Sequence, residues 1–246
     1  MAARLTKTGG CFPVASIAVS DDIHNPLLYS SFGGILTVVS LNVSPDAPEY
    51  IYDSIAVFDS HLIHGIHISS GQILVYGDKS VAILGRSKTK LSIHHKLSNL
   101  DDLVLDTQPY QDQKLLIGYA HNVIDILDYS INDRFRRVKR IHGPETCCLF
   151  SLHLTVTNNE ILVANGTVFG KLFLWKIKDD FEMSPLHTFT DHEGVIFRIT
   201  MSVDQSHIAT VSDDRSVRIW SVAPGQYRQT FIGWGHVSRV RLLQSS

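Results

Sequence analysis

The chain has 246 residues, of which 44% are hydrophobic and 19% charged, with a formal net charge of −2. That length can bury one large core, the composition excludes a disordered chain, and the charge excludes a global basic field drawing it onto nucleic acid or membrane. No apolar run reaches the roughly 20 residues that span a bilayer. The three cysteines, Cys11, Cys147 and Cys148, give neither a disulfide framework nor zinc-ligand spacing. Arg4 and Lys7 precede "CFPVASIAV", but this segment is short, contains Pro13 and runs on into strand-like sequence, so it does not read as a signal peptide. A cytoplasmic location is the expectation.

Along the chain, β-rich runs come in pairs. "PLLYSS" is followed by "GGILTVV" ending at Val39, "QILVYG" by "DKSVAIL" ending at Leu84, and "KLLIGYA" by "HNVIDIL" ending at Leu127. "EILVANG" is followed by "FGKLFLW" ending at Trp175, and "HIATVS" by "DRSVRIW" ending at Trp220. The runs are rich in Val, Ile, Leu and Tyr and are bounded by Gly, Asp or Asn, as antiparallel strands joined by tight turns require. Helical periodicity is almost absent; the nearest candidate, "HKLSNLDDLVLD", fits a strand or loop equally well.

The closing strands end near residues 39, 84, 127, 175 and 220, separated by 45, 43, 48 and 45 residues. This is the period of four-stranded propeller blades. The expected fold is all-β: a single partial β-propeller over residues 1–246, with about five blades. Gly235-His236 would open a sixth blade, with "GHVSRVRLL" as its first strand. "NVSPDAPEY" reads as a loop between blades and not as a domain linker. Seven blades at this period would need about 310 residues, so the ring is expected to be incomplete and the chain to be a fragment, truncated isoform or incomplete gene product.

The last full unit, "DHEGVIFRITMSVDQSHIATVSDDRSVRIWSV", resembles the WD40 family: "DH" stands where that family has Gly-His, and "SDDRSVRIW" matches its closing strand. The resemblance implies a hydrogen-bonded tetrad of His192, Ser212, Asp214 and Trp220 that locks the blade. Such a network would satisfy buried polar groups. The same Ser, His and Asp could suggest hydrolysis, but there is no G-x-S-x-G elbow and the structural role accounts for all four residues. The other units are degenerate: Leu84 and Leu127 replace the Trp, and His121 and Phe169 occupy the turn position of Asp214.

A second layer of resemblance is more specific. "HLIHGIHI", "VYGDKSVAIL", "YAHNVIDILD" and "HEGVIFRITMS…ATVSDDRSVRIW", in that order and spacing, look like the N-terminal portion of the WD repeat-containing protein 6 family. That resemblance implies a non-catalytic scaffold that partners an FtsJ-type methyltransferase and tRNA in 2'-O-ribose methylation of the anticodon wobble nucleotide. The alternative is a general protein-interaction propeller in signalling or endosomal recycling. No Gly-rich nucleotide loop or βαβ alternation is present, so no cofactor is expected in this chain.

One segment could touch RNA: "DRFRRVKR", with Arg134, Phe135, Arg136, Arg137, Lys139 and Arg140. Its cations could contact phosphates and Phe135 could stack on an unpaired base. The other reading is an outer strand or loop whose arginines face water. His61-x-x-His64-x-x-His67 does not suggest a metal site, because i and i+3 in a strand point to opposite faces. Cys147-Cys148 is expected to be buried packing.

Overall fold

The computed structural model describes residues 14–20, 26–40, 52–69, 71–87, 90–130, 135–157, 160–222 and 228–234. Within them every regular element is a β-strand. The proposed first strand of a sixth blade, from Gly235, lies outside the described residues, as do Cys11, Arg134 and the "NVSPDAPEY" loop.

The chain divides into two compact units, Met1–Ser98 and Asn99–Ser246. In the first unit, β1 (Val14–Val19), β2 (Leu27–Phe32), β3 (Ile35–Ser40) and β4 (Tyr52–Ala56) form one antiparallel sheet in chain order. β5 (Gly65–Ser69), β6 (Gln72–Gly77), β7 (Ser80–Ser87) and β8 (Lys90–Leu97) form the next. The second unit holds three more sheets of the same plan. β9 (Val104–Tyr110), β10 (Lys114–Tyr119), β11 (Val123–Asp128) and β12 (Arg136–His142) make the third sheet. β13 (Leu149–Thr157), β14 (Glu160–Thr167), β15 (Leu172–Ile177) and β16 (Met183–Phe189) make the fourth. β17 (Ile196–Met201), β18 (His207–Ser212), β19 (Ser216–Ser221) and β20 (Arg228–Trp234) make the fifth. Val39, Leu84, Leu127, Trp175 and Trp220 all fall in the third strand of a sheet, and one further strand follows each.

The residue pattern explains the layering. Middle strands β6, β10, β14 and β18 are buried almost end to end, so they read as continuous apolar runs, as strands covered on both faces must. Outer strands β12 and β16 are largely exposed and carry the charges and Pro185, which protect an edge from pairing. In the second unit Leu116, Ile124, Ile126, Leu154, Val163 and Trp175 form a core shared by the third and fourth sheets. Leu174, Ile196, Ile208 and Trp220 do the same between the fourth and fifth.

In the second unit the turn between the second and third strands repeats one geometry. Asn122, Gly170 and Arg215 each end their turn in the left-handed region, at φ 59°, 81° and 65°. This is the type I turn with a following left-handed residue that suits short hairpin loops. Only Gly fits at position 170, because a Cβ there would lie 2.2 Å from the His192 carbonyl oxygen.

Candidate functional site

The fifth sheet builds its polar network from four elements. His192 lies in the connection from β16 to β17, Thr210 on β18, Asp214 in the β18–β19 turn and Trp220 on β19. His192 Nδ1 is 2.7 Å from Asp214 Oδ2, and His192 Nε2 is 2.7 Å from Thr210 Oγ1. The Trp220 indole N–H donates to the same Thr210 oxygen at 2.9 Å. Asp214 also accepts from Ser216 N and Oγ at 2.8 and 2.6 Å and from Glu193 N at 3.1 Å.

These partners define the protonation. Burial opposes the charged form of Asp214, but the hydrogen bonds from Ser216, His192 and Glu193 outweigh it and hold the carboxyl well below its usual range. Burial pushes the His192 imidazole pKa down, against the pull of Asp214. A neutral His192 beside an anionic Asp214 must donate from Nδ1, so its Nε2 accepts from the Thr210 hydroxyl. The donors run one way, from Trp220 through Thr210 and His192 to Asp214. Every member is satisfied, and the network joins β18, β19, the turn between them and the β16–β17 connection.

Of the expected tetrad, the structure brings His192, Asp214 and Trp220 together, but Ser212 is not the bridging hydroxyl. Thr210 is. Both residues lie on one face of β18, and Trp220 pairs opposite Ile208, which puts Thr210 within reach of the indole and leaves Ser212 at the strand end. Ser212 Oγ instead donates to Gly194 O at 3.1 Å and accepts from Asp214 N at 3.2 Å.

The fourth sheet has a counterpart that sequence reasoning missed. Trp175 Nε1 donates to Asn165 Oδ1 at 2.9 Å. Asn165 Nδ2 donates to Asn122 Oδ1, in the turn of the third sheet, and Asn122 Nδ2 donates to Glu145 O at 2.7 Å. Asn165 and Asn122 are fully buried, so the amide chain ties two sheets together through their interior. The usable signal is the spacing: Asn165 precedes Trp175 by ten residues, as Thr210 precedes Trp220.

The third sheet inverts the polarity of the fifth. His121 stands in the turn where the fifth sheet has Asp214, and its Nδ1 lies 2.9 Å from Asp102 Oδ2 in the preceding connection. In the second sheet His64 and Asp78 stand 3.7 Å apart, both about half exposed. His61 stacks on Phe58 with ring centroids 4.5 Å apart. Of the three spaced histidines only His67 lies in a strand, β5.

The basic segment lies on the outer strand β12, but its charges are largely met. Arg140 grips Asp125 through Nε and Nη2, both at 2.8 Å, and reaches Asp101 at 2.7 Å. Arg137 approaches Asp101 at 3.2 Å and Asp125 at 3.4 Å, and Arg136 stands 3.5 Å from Asp128. Arg137 and Arg140 are thus turned to carboxylates on an outer strand that is largely exposed, with Arg137 itself half exposed. The reason is register: Asp125 pairs directly opposite Arg140 across β11 and β12. The Asp125 side chain is 3% exposed, so its charge needs this fork. Phe135 is half-buried, with its ring 5.9 Å from that of Tyr129. Lys139 is exposed and forms no ion pair among the described residues.

The cysteine expectation is corrected for Cys148, whereas Cys147 packs against the core of the third and fourth sheets. Cys148 is exposed and Cys147 half-buried, with burial pushing the Cys147 thiol pKa up. No helix among the described residues is long and apolar enough to cross a membrane.

Five consecutive four-stranded antiparallel sheets, with the Trp–Thr–His–Asp lock in the last, define a WD40-type β-propeller fold. The WD domain, G-beta repeat family matches residues 183–221. The crystal structure of the WD40 β-propeller domain of Doa1 superimposes with a TM-score of 0.62 at 19% identity, covering 88% of this chain and 67% of that one. In sequence, the chain is similar to tRNA (34-2'-O)-methyltransferase regulator WDR6. It is 28% identical to the Rattus norvegicus protein over 204 residues and 28% identical to the Mus musculus protein over 203. Each match covers 73% of this chain and 18% of the relative, so the chain spans about a fifth of their length.

Proposed function

We propose that this chain is part of a non-catalytic WD40 scaffold that partners an FtsJ-type methyltransferase in 2'-O-ribose methylation of the tRNA wobble nucleotide, in the cytoplasm. The observation that carries the reading is the similarity to proteins named as regulators of tRNA (34-2'-O)-methyltransferase, over 73% of this chain. The chemistry of the site agrees with it. His192, Thr210 and Asp214 are buried or half-buried and consumed in mutual hydrogen bonds, which suits a lock better than a reacting centre. In this reading the methyltransferase supplies cofactor and chemistry, and the scaffold places the tRNA.

The basic segment keeps a limited role in the proposal. Arg136 is 71% exposed, and an ion pair at that exposure is readily exchanged for a phosphate. Arg136 and Lys139 are therefore the RNA-contact candidates of β12, whereas Arg137 and Arg140 serve the fold.

The test is affinity capture of the tagged chain from cells, reading bound FtsJ-type methyltransferase and bound tRNA together. Capture of both supports the proposal. Capture of neither, with other proteins bound instead, replaces it with the general protein-interaction reading, which the 80% exposed Phe169 favours.

A further inference from the structure

The outer hairpin of the second sheet, β7 and β8, carries a second concentration of positive charge. From Ser80 to Leu97 the sequence holds Arg86, Lys88, Lys90 and Lys96, together with His94 and His95, and no acidic residue, in a chain of net charge −2. Lys88 lies outside the described residues. The contrast with β12 is one of register. There Asp128 and Asp125 stand opposite Arg136 and Arg140. On β8 Ser87 stands opposite Lys90 and Ala82 opposite Lys96, so neither lysine meets a carboxylate across the ladder.

Lys90 is exposed and forms no ion pair among the described residues. Lys96 is 3.9 Å from Asp59, whose side chain is 93% exposed, and a pair of that length and exposure is readily exchanged for another anion. Arg86 is exposed at the start of the hairpin and hydrogen-bonds the Tyr29 phenol. The carboxylate nearest the strand, Asp53 of β4, accepts Leu91 N at 2.6 Å. The register slips between Ile83 and Leu84, where His94 is the extra residue, and such a bulge re-aims its side chain. The exposed His94 ring lies against Gly85, where a Cβ would come 2.2 Å from its Cε1.

The spacing selects the ligand. Six strand residues put the backbone positions of Lys90 and Lys96 about 20 Å apart, too far for one small anion and suited to a chain of charges. Leu91 and Ile93 pack into the core of the first unit, so the strand turns positive charge outward without an aliphatic anchor for a bilayer. An exposed imidazole between two lysines suits RNA, whose phosphates take the cations and whose unpaired bases stack on the ring.

We propose that the β7–β8 hairpin is an RNA-contact surface, on which Lys90 and Lys96 hold the phosphate backbone and His94 stacks on an unpaired base. This names a surface for the RNA that the scaffold places, and so rests on that reading. It is a different surface from Arg136 and Lys139 of β12.

The experiment is fluorescence polarisation of a labelled anticodon stem-loop RNA with the purified chain over a range of salt concentrations. Lys90→Glu, the pair Lys90→Ala, Lys96→Ala, and Lys139→Ala on β12 are run alongside, with circular dichroism to confirm the fold. Lys90→Glu is expected to weaken binding on the order of ten-fold. The alanine pair is expected to lower the slope of log affinity against log salt by about 2, and Lys139→Ala to change it less. No RNA binding by the wild type at low salt, or affinity and slope unchanged in the β8 variants, overturns the proposal. So does equal β8-dependent binding of poly-glutamate or of phosphatidylserine vesicles. The two readings fail separately: RNA bound equally by the β8 variants removes this surface and leaves the scaffold reading, whereas β8-dependent RNA binding without captured methyltransferase removes the scaffold reading and leaves this surface.

Discussion

The Trp175 indole donates to Asn165 Oδ1 at 2.9 Å, ten residues upstream, and the same offset joins Trp220 to Thr210. Two neighbouring sheets thus hold their third-strand tryptophans by one device with different chemistry behind it. In the fifth sheet the acceptor hands on to an imidazole and a carboxylate. In the fourth it hands on to an amide from another sheet.

The first test separates two hydroxyls. Thr210→Val leaves the Trp220 N–H and His192 Nε2 buried without a partner and is expected to cost about 2–4 kcal/mol. Ser212→Ala loses the hydrogen bonds to Gly194 O and from Asp214 N and is expected to cost about 1–2 kcal/mol, less than Thr210→Val. Urea unfolding of the two variants checks the order; Ser212→Ala as the costlier change would contradict the assignment of the bridge.

Asn165 and Asn122 should be energetically coupled. Asn165→Ala and Asn122→Ala each leave a buried amide half-satisfied, and the double variant should cost less than the sum by about 1–2 kcal/mol. A double-mutant cycle by denaturant unfolding gives that coupling directly. Strict additivity would mean that the sheet-to-sheet amide bond contributes nothing.

Much of the repeat is legible in the amino-acid sequence. Each of the run ends at 39, 84, 127, 175 and 220 lies in a third strand, because those strands carry apolar side chains that recur at a fixed period. The site is legible only in part. Thr210 and Ser212 share a face of β18, so composition cannot say which hydroxyl bridges; the pairing of Trp220 with Ile208 decides it. Asn122 and Asn165 are 43 residues apart and meet only because one sheet packs on the next. Arg140 reads as available for phosphate in the linear chain, whereas the β11–β12 register sets Asp125 opposite it.

pH separates His192 from a surface imidazole. Its folded pKa lies below the ordinary 6.5, so the unfolded chain takes up the proton first. Its neutral form therefore stabilises the fold fully above pH 6.5, and that contribution declines as pH falls below it, by at most about 1.4 kcal/mol per pH unit. Asp214 acts in the same direction lower down: its depressed pKa contributes stability that is lost below the usual carboxylate range. The urea midpoint of the wild type should therefore drop between pH 7 and pH 5 more steeply than that of His192→Gln. Parallel profiles would show that His192 does not titrate as assigned.

The arginines of β12 should behave unequally. Arg140→Ala leaves the buried Asp125 carboxylate with only the longer contact to Arg137 and is expected to cost about 2–4 kcal/mol of stability. Arg136→Ala should leave thermal unfolding unchanged, because its pair is on the surface. Equal effects on stability would contradict the division of roles along this strand.

The measurement that bears most directly on the central reading is 2'-O-methylation of tRNA nucleotide 34, by mass spectrometry, in cells with and without the gene encoding this chain. The account predicts loss of the wobble ribose methyl group in the deletion, with other tRNA modifications kept, and its return when the gene is restored. Unchanged methylation at position 34 would contradict it.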